Sequence, residues 1–491
     1  MVEAAYGARD EPRHPRPWLA ALLSFLFPGL GQAYTGQRVL AAIFALPVVV
    51  LILAVIALQS GIGGPMRNSL LSSGFLTAVI IGNVLLLSWR IAAIVHAALR
   101  PPISDRHEGR IALTSVLILV VLAIAMHAWV GIVVAHLDDT LNQVFGGTLV
   151  PNEPLPEPSG SEEPVNVPQY RWDGTDRINV LLLGTDAHVT REQVLTDVIL
   201  VVSVDPVAGT AEMISVPRDT GFVPLPDESL FAGALYPDKV NGLSTVASLD
   251  PETWCPDLVD DADACGLRTI ERTIGLYLGI DIHHYALVDM AGFAELIDAV
   301  GGLRLCLPGE LTDPEFDGSF DNLDVDEALV LPAGCHEYNG IDALAYARSR
   351  QGWIELPDGT REPQSDFSRN ERQQTVLLAL RDEMAQADLI FELPAVLRAI
   401  ARTVSTDFPR DQAGDLASLL PLIAGPDIER VVLGYPDYVD LPADPDVNYL
   451  LLPKRDAIRD EMARMFGEDE LIGWYLDGTE PQPVGSPGAP P

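Results

Sequence analysis

RINVLLLG, residues Arg177–Gly184, decides the fold of the larger part of this chain. It is an apolar run with β-branched residues that ends on glycine, the pattern of a buried strand. DVILVVSVD (Asp197–Asp205) and AEMISV (Ala211–Val216) repeat the pattern. Pro206-Val207-Ala208-Gly209 joins the second run to the third and is short enough to require antiparallel pairing. If the first run is also antiparallel to the second, three segments meet at one sheet edge. They are Gly184-Thr185-Asp186, Thr196-Asp197 and Pro217-Arg218-Asp219, so carboxylates and an arginine converge there.

A second constellation lies downstream. Asn339–Arg348 reads as an alanine-rich helix ending at Ala347-Arg348-Ser349-Arg350. Beyond a polar loop, Ser368 and Glu371 have the spacing of a capping box, which predicts a helix starting there. Val376, Leu377, Leu380 and Met384 would form its buried stripe. Arg369 and Gln373 stand four apart on one face near its N-terminus, an arrangement suited to phosphate oxygens. Lysine is scarce: Lys239, in Asp238-Lys239-Val240-Asn241, and Lys454 are the only two. Arginine grips two phosphate oxygens at once where lysine is a point charge. His283 and His284 have no ligand at helical spacing and read as a polar turn before a strand.

The charge is unevenly spread. Of 31 basic and 69 acidic residues, residues 1–150 hold 9 and 7, leaving 22 and 62 for 151–491. A formal net charge of -38 argues against sequence-independent nucleic-acid binding. In so acidic a domain, the set Arg218, Arg348, Arg350, Arg369 and Arg372 calls for a common anionic ligand rather than five separate surface ion pairs.

The first part reads as membrane. Val39–Leu58, Leu70–Ile94 and Ile111–Ala135 are each long enough to cross a ~30 Å hydrocarbon core. An earlier segment, Trp18–Tyr34, is interrupted by Pro28-Gly29-Leu30-Gly31 and reads as an interfacial or re-entrant piece, with a fourth span as the alternative. No cleavage site follows these segments, so a removable signal peptide is not expected. Arg9, Arg13, Arg16 and Arg38 precede the first span, and Arg90, Arg100, Arg106 and Arg110 surround the second loop, which places the N-terminus in the cytoplasm. Three crossings then put the acidic domain outside; four would keep it inside. All four cysteines (Cys255, Cys265, Cys306, Cys335) lie in that domain, which favours export and disulfides. Of the three pairings open to them, Cys255–Cys265 with Cys306–Cys335 closes the short local loops. Pro151–Pro168 carries six prolines and reads as an extended spacer, with a reach of roughly 50 Å at ~3.1 Å per residue. The expected organisation is a cytoplasmic N-terminus and interfacial segment over 1–38, three spans over 39–136, a linker over 137–170, a globular domain over 171–478 and a disordered tail over 479–491.

Several of these segments together resemble the LytR-CpsA-Psr family: Leu183-Gly184-Thr185-Asp186, Thr196-Asp197, Ser215-Val216-Pro217-Arg218-Asp219-Thr220, Lys239-Val240-Asn241, Leu344–Arg350 and Asp366–Gln374. Asp289–Phe293 and Val300–Leu303 also fit its pattern. The likeness covers about 175–385. It implies an α/β/α sandwich around a mixed central sheet, here preceded by a multi-span α-helical membrane region, with an apolar tunnel for lipid. It also implies a membrane-anchored enzyme working outside the cell, which moves a glycopolymer from a polyprenyl-pyrophosphate carrier to peptidoglycan. By position, Asp186 and Asp197 would hold Mg²⁺, with Mn²⁺ an alternative. Arg218, Lys239, Arg348, Arg350, Arg369, Arg372 and Gln373 would bind the pyrophosphate, with Asp219 in support. Asp197, Arg218, Asp219, Arg348, Arg350 and Arg369 would form the catalytic set, and either Asp197 or Asp219 would serve as base. The chain departs from the pattern at His188 and Leu195, where arginine is usual, and in the longer loop Gln351–Gln364.

Three functions compete: a glycopolymer transferase, a hydrolase of the same lipid-linked glycan, and a non-catalytic envelope regulator or scaffold. The retained aspartates and arginines disfavour the last. The topology is testable. A cysteine introduced at Ser159 should react with an impermeant thiol reagent in intact cells whose wall admits it. Labelling only after lysis, with an exposed control labelled before it, would contradict three crossings.

Overall fold

The computed structural model describes residues 15–59, 71–102, 105–147, 171–185, 195–226, 230, 235–316, 318, 328–384, 393–419, 422, 428–442, 449–468 and 471–472. Asp186, His188, the spacer 151–168 and the tail from 479 lie outside the described residues. The chain divides into two compact units, Met1–Asp138 and Asp139–Pro491.

In the first unit, α1 (Pro17–Leu26) and α2 (Leu30–Tyr34) flank a break in which Gly29 takes φ 105°. The interruption read at Pro28–Gly31 is a packed turn. Fully buried Gln32 donates to Ala93 O at 2.9 Å and accepts from Ser24 Oγ at 3.0 Å. A side chain at Gly31 would meet Ala20 O at 2.1 Å, so only glycine permits this approach. Three longer helices follow: α3 (Arg38–Gln59, with Pro47 inside), α4 (Ser73–Leu99) and α5 (Arg106–Val144). Among the described residues, α4 and α5 are long and apolar enough to cross a membrane, and Arg38–Ala54 is a shorter apolar helix. Because α5 continues to Val144, the linker expected from residue 137 starts later than the composition suggested.

In the second unit, β1 (Ile178–Thr185), β2 (Thr196–Asp205) and β3 (Thr210–Ser215) form the expected antiparallel meander. Asp205 Oδ1 closes the second turn by accepting from the backbone of Val207 and Ala208 at 2.9 and 2.7 Å. After α6 (Ala262–Leu278), the chain forms β4 (His284–Asp289) and α7 (Met290–Ala299). Next come β5 (Leu303–Leu307), β6 (Glu310–Asp313), β7 (Leu329–Leu331), β8 (Gly334–Tyr338) and α8 (Gly340–Arg348). A hairpin of β9 (Trp353–Glu355) and β10 (Arg361–Pro363) precedes α9 (Asp366–Met384) and α10 (Leu393–Thr403). The last elements used below are β11 (Val404–Thr406), β12 (Ile428–Val432) and α11 (Arg455–Phe466).

The central sheet has the order β11-β4-β1-β2-β3-β12 and is mixed, because β4 runs parallel to β1 and β12 parallel to β3. Strand alternation sorts the core into two layers. Leu181, Leu183, Ile199, Val201 and Ile214 pack with Ile270, Ile274 and Tyr277 of α6 and Ile458 and Met462 of α11. Leu182, Gly184 and Val198 face the other way, toward α7, α8 and α9. The expected sandwich is therefore present. The region after Asp411 completes it through β12 and α11.

Both expected disulfides form, Cys255–Cys265 and Cys306–Cys335, the second joining paired positions of β5 and β8. Three local expectations need correction. Helix α9 starts at Asp366, one turn-fragment earlier than the Ser368/Glu371 box implied. Ser365 accepts from Ser368 N–H at 3.4 Å, and Ser365 N–H donates to Ser368 Oγ at 2.9 Å, so the reciprocal pair is serine with serine. Met384 is exposed at the end of α9 rather than part of its buried stripe, while Val376 and Leu380 are buried. His284 is not in a polar turn. It lies in β4, fully buried, 3.4 Å from Asp407 and against Phe408, at the end of the sheet where β1 begins. Burial, with the neighbouring His284, pushes His283 down to about 4. It is therefore a neutral acceptor for Asn179 N–H at 2.9 Å. No group of three metal-binding side chains occurs among the described residues.

Candidate active site

The site lies where β1 and β3 end and β2 begins. A register shift at Gly184/Thr185 opens the β1–β2 edge. A Cβ on Gly184 would come within 2.7 Å of Val198, so glycine allows the two strands to close there. Just beyond, backbone bonds fix the arginine segment: Arg218 O accepts from Asn241 N–H at 3.2 Å, and Asp219 O from Leu451 N–H at 2.9 Å. Thr196 Oγ donates to Asn241 O at 2.9 Å, tying the start of β2 to the same loop.

Asp197 and Arg218 meet as the strand order required, Oδ1 to Nη1 at 2.5 Å. Helix α9 delivers Asp366 and Arg369 to the same place. Asp366 Oδ1 lies 2.9 Å from Arg369 Nη1 and 3.4 Å from Arg218 Nε. Burial alone would raise the Asp197 carboxyl, but Arg218, Arg369 and Arg348 outweigh it and hold it below the ordinary carboxylate range. Burial opposes the charge of Arg218 too, yet Asp197 and Asp366 prevail and raise it. For Arg369, burial dominates and lowers it despite Asp366. Arg369 is 3% exposed, and its Nε and Nη2 have no hydrogen-bond partner among the described residues. A buried guanidinium with two unsatisfied donors is costly unless an anion completes it.

Asp197, Arg218 and Arg369 line a polar cavity of about 200 Å³, together with Arg348, Arg350, Gln351, Gln373, Met290, Asp313, Glu315 and Phe316. A second, narrower cavity of about 60 Å³ opens between the sheet and α7, α8 and α9, lined by Leu182, Val198, Val288, Phe293, Leu344, Val376 and Leu377. The two share Met290, Arg348 and Gln373, so an apolar slot leads directly into the arginine cluster.

Not every expected residue reaches the cavity. Lys239 pairs with Asp219 at 2.9 Å and lies 5.8 Å from the centre of the Tyr449 ring, and neither Lys239 nor Asp219 lines the cavity. Arg372 is a brace. Its Nε donates to Tyr346 O at 2.8 Å, and its other nitrogens bond Ser349 O, Gln364 and Ser368. Burial brings it to about 10, which leaves it cationic at neutral pH. Asp186 lies outside the described residues.

Two residues were missed in the sequence. Asp313, 1% exposed, accepts at Oδ2 from Ser349 Oγ, Arg350 N–H and Gln351 N–H at 2.8, 3.0 and 3.2 Å. It thereby fixes the loop that carries Arg350 and begins directly after Arg348. Asp366 was visible within the α9 motif but had no assigned role; its place in the first helical turn was the available signal.

The Asp197–Arg218 pair is testable by a double-mutant cycle. Because Asp197 titrates below its unfolded value, its contribution to stability is complete above the ordinary carboxylate range and is lost as pH falls through the lower folded value. Arg218→Met leaves the carboxylate without its closest cation, which for a buried pair costs up to about 3–5 kcal/mol. Adding Asp197→Asn should recover part of that loss in thermal melts at pH 7. A double variant no more stable than Arg218→Met would show that the two are not coupled.

The LytR_cpsA_psr family model matches residues 155–440. The chain is 26% identical over 294 residues to a polyisoprenyl-teichoic acid–peptidoglycan teichoic acid transferase TagU of Halalkalibacterium halodurans, covering 60% of this chain and 78% of that protein. It is 27% identical over 258 residues to the cell wall biosynthesis protein LcpA of Corynebacterium glutamicum, covering 49% of this chain and 46% of LcpA, about half of that relative's length. A solved structure of TagT bound to LIIa-WTA aligns with a TM-score of 0.42 at 21% identity, over 62% of this chain and 94% of TagT. With more than half of its length matched by the family model, this chain belongs to the LytR-CpsA-Psr family.

Proposed function

We propose that this protein is a membrane-attached phosphotransferase that moves a glycopolymer from a polyprenyl-pyrophosphate carrier onto peptidoglycan. One observation carries the reading: buried Arg369, with two donor nitrogens unpartnered among the described residues, stands in a polar cavity that shares a wall with an apolar slot. A ligand with a pyrophosphate head and an isoprenoid tail matches both. Relatives named as transferases of polyisoprenyl-linked teichoic acid to peptidoglycan support the same class.

In this reading the first isoprene units occupy the slot beside Leu182, Phe293 and Leu344. Arg218, Arg348 and Arg369 hold the phosphate oxygens, and their preorganised charge stabilises the negative charge that develops on the leaving phosphate. Phosphoryl transfer asks for this positioning and charge compensation more than for a side-chain nucleophile. Gln373, at the junction of the two cavities, contributes an amide.

The donors present fit Mg²⁺ that arrives with phosphate. Asp197 offers one oxygen beyond the one held by Arg218, and the ion ordinarily takes one or two carboxylates plus phosphate oxygens and water. Asp197 would hold it, with Asp186 as the second carboxylate. Its chemistry there would be to neutralise charge on the phosphate oxygens. Three crossings, by α3, α4 and α5, would place the catalytic domain outside the cytoplasm.

Full-length protein in lipid nanodiscs, given lipid-linked glycan, peptidoglycan and Mg²⁺, should attach glycan covalently to peptidoglycan. Arg369→Ala should lower turnover by on the order of 10²–10³, the scale for removing a preorganised charge stabiliser. Arg402→Ala, which removes an exposed pair with Glu295, should not. Release of glycan phosphate without attachment would make the protein a hydrolase, and the formation of no product at all would overturn the reading.

A further inference from the structure

The two cavities give the site a direction. If the donor's isoprenoid tail lies in the apolar slot, the leaving polyprenyl phosphate points toward Met290, Arg348 and Gln373, the residues that the cavities share. In-line displacement requires the attacking oxygen to approach from the opposite side of the phosphorus. The polar cavity has such a side. Glu315, Arg350 and Gln351 line it without touching the slot, and all three are exposed, whereas Arg369 is buried. A peptidoglycan strand is too large to enter and can present a hydroxyl only through such a mouth.

The carboxylates in and around the cavity divide by their partners. Asp197 is bound to Arg218, Asp366 faces Arg369 and Arg218, and Asp219 is bound to Lys239. Asp313 spends one oxygen on three donors of the arginine loop. Glu315 carries no ion pair or side-chain hydrogen bond among the described residues; only its backbone N–H is engaged, by Asp313 Oδ1 at 3.2 Å. A base must accept a proton without first breaking an arginine pair, and Glu315 meets that condition.

We propose that the mouth formed by Glu315, Arg350 and Gln351 is the acceptor subsite, which binds a peptidoglycan glycan strand and positions its hydroxyl, with Glu315 as the base. This inference rests on the transferase reading above. The acceptor oxygen forms a bond to the glycan-bearing phosphorus as the bond from that phosphorus to the bridging oxygen breaks. The electron pair leaves with polyprenyl phosphate, and the hydroxyl proton passes to the Glu315 carboxylate. The buried Asp313 that orders Arg350 and Gln351 for the acceptor also holds Ser349, directly after Arg348 at the end of α8, so the two subsites adjoin.

The test uses full-length protein in nanodiscs with lipid-linked glycan and soluble, uncrosslinked peptidoglycan glycan strands. It reads the acceptor KM, the donor KM and the ratio of transfer to hydrolysis across pH. Gln351→Ala should raise the acceptor KM and lower the transfer-to-hydrolysis ratio by about tenfold, the scale of one or two lost hydrogen bonds. Glu315→Gln should raise the acceptor KM too and lower the ratio by on the order of 10²-fold, the scale of a lost general base. Glu315→Gln should also flatten the acid limb of the transfer profile, and Glu315→Asp should restore part of it. Folded variants, checked by melting, with unchanged acceptor KM and ratio would overturn the proposal. So would a Glu315→Gln effect confined to the donor KM. Wild-type protein that neither cleaves nor transfers the donor would instead overturn the transferase reading, and the subsite with it.

Discussion

Like charges gathered at one sheet edge set the terms for the rest of this domain. Arg218, Arg348 and Arg369 repel one another, and burial makes that repulsion stronger. Asp197 from the start of β2 holds Arg218, and Asp366 from the first turn of α9 holds Arg369 and Arg218. The antiparallel meander of β1, β2 and β3 is what brings Asp197 beside Arg218, although 21 residues separate them. Arg372, by bonding the carbonyls of Tyr346 and Ser349, anchors α9 to the end of α8 and so sets where Arg369 stands. Asp366 engages Arg369 at one nitrogen only, and Nε and Nη2 are left without a partner among the described residues, which is the basis of the proposal that an anion binds there.

The surrounding packing would give the proposed anion an orientation. Leu182 and Gly184 point away from the α6 core, and the helices on their side leave a slot rather than closing over them. Even the Cβ of an alanine at 184 would collide with Val198, so the strand edge and the slot depend on the same glycine. On the far side, β6 ends in Asp313, and its hydrogen bonds place the Ser349–Gln351 loop at the cavity mouth. Gly352 allows this close approach, since a Cβ there would fall 1.8 Å from Thr312 O.

Much of this was legible in the sequence because it depends on local pattern. The three strands announced themselves as apolar runs, and the four-residue turn fixed the pairing of two of them. Short loops between cysteines suggested the disulfides that form. Arginine in an acidic chain marked the cluster, but Arg372 showed the limit: its type fits a phosphate site, and only the fold reveals that it braces backbone carbonyls. Asp313 and Glu315 belong to no local pattern. Asp313 finds its partners 36 to 38 residues away, across the pairing of β6 with β9, which nothing in the sequence predicted, and Glu315 takes its place from Asp313. His284 reads as polar by residue type, yet the β4 register turns it into the interior. Ser365 and Ser368 reproduce the logic of a capping box with a different second partner, which moved the start of α9.

The central claim is that Arg369 is a planar, buried grip for a pyrophosphate. The most direct measurement is equilibrium binding of geranylgeranyl pyrophosphate and geranylgeranyl phosphate to the full-length protein and to Arg369→Lys, with Mg²⁺ present. Lysine keeps the charge but loses the two-pronged geometry. The wild type should prefer the pyrophosphate, and Arg369→Lys should lose about tenfold or more of its affinity and most of that preference. Equal affinities for the two lipids in the wild type, or a lysine variant that binds like it, would contradict the account.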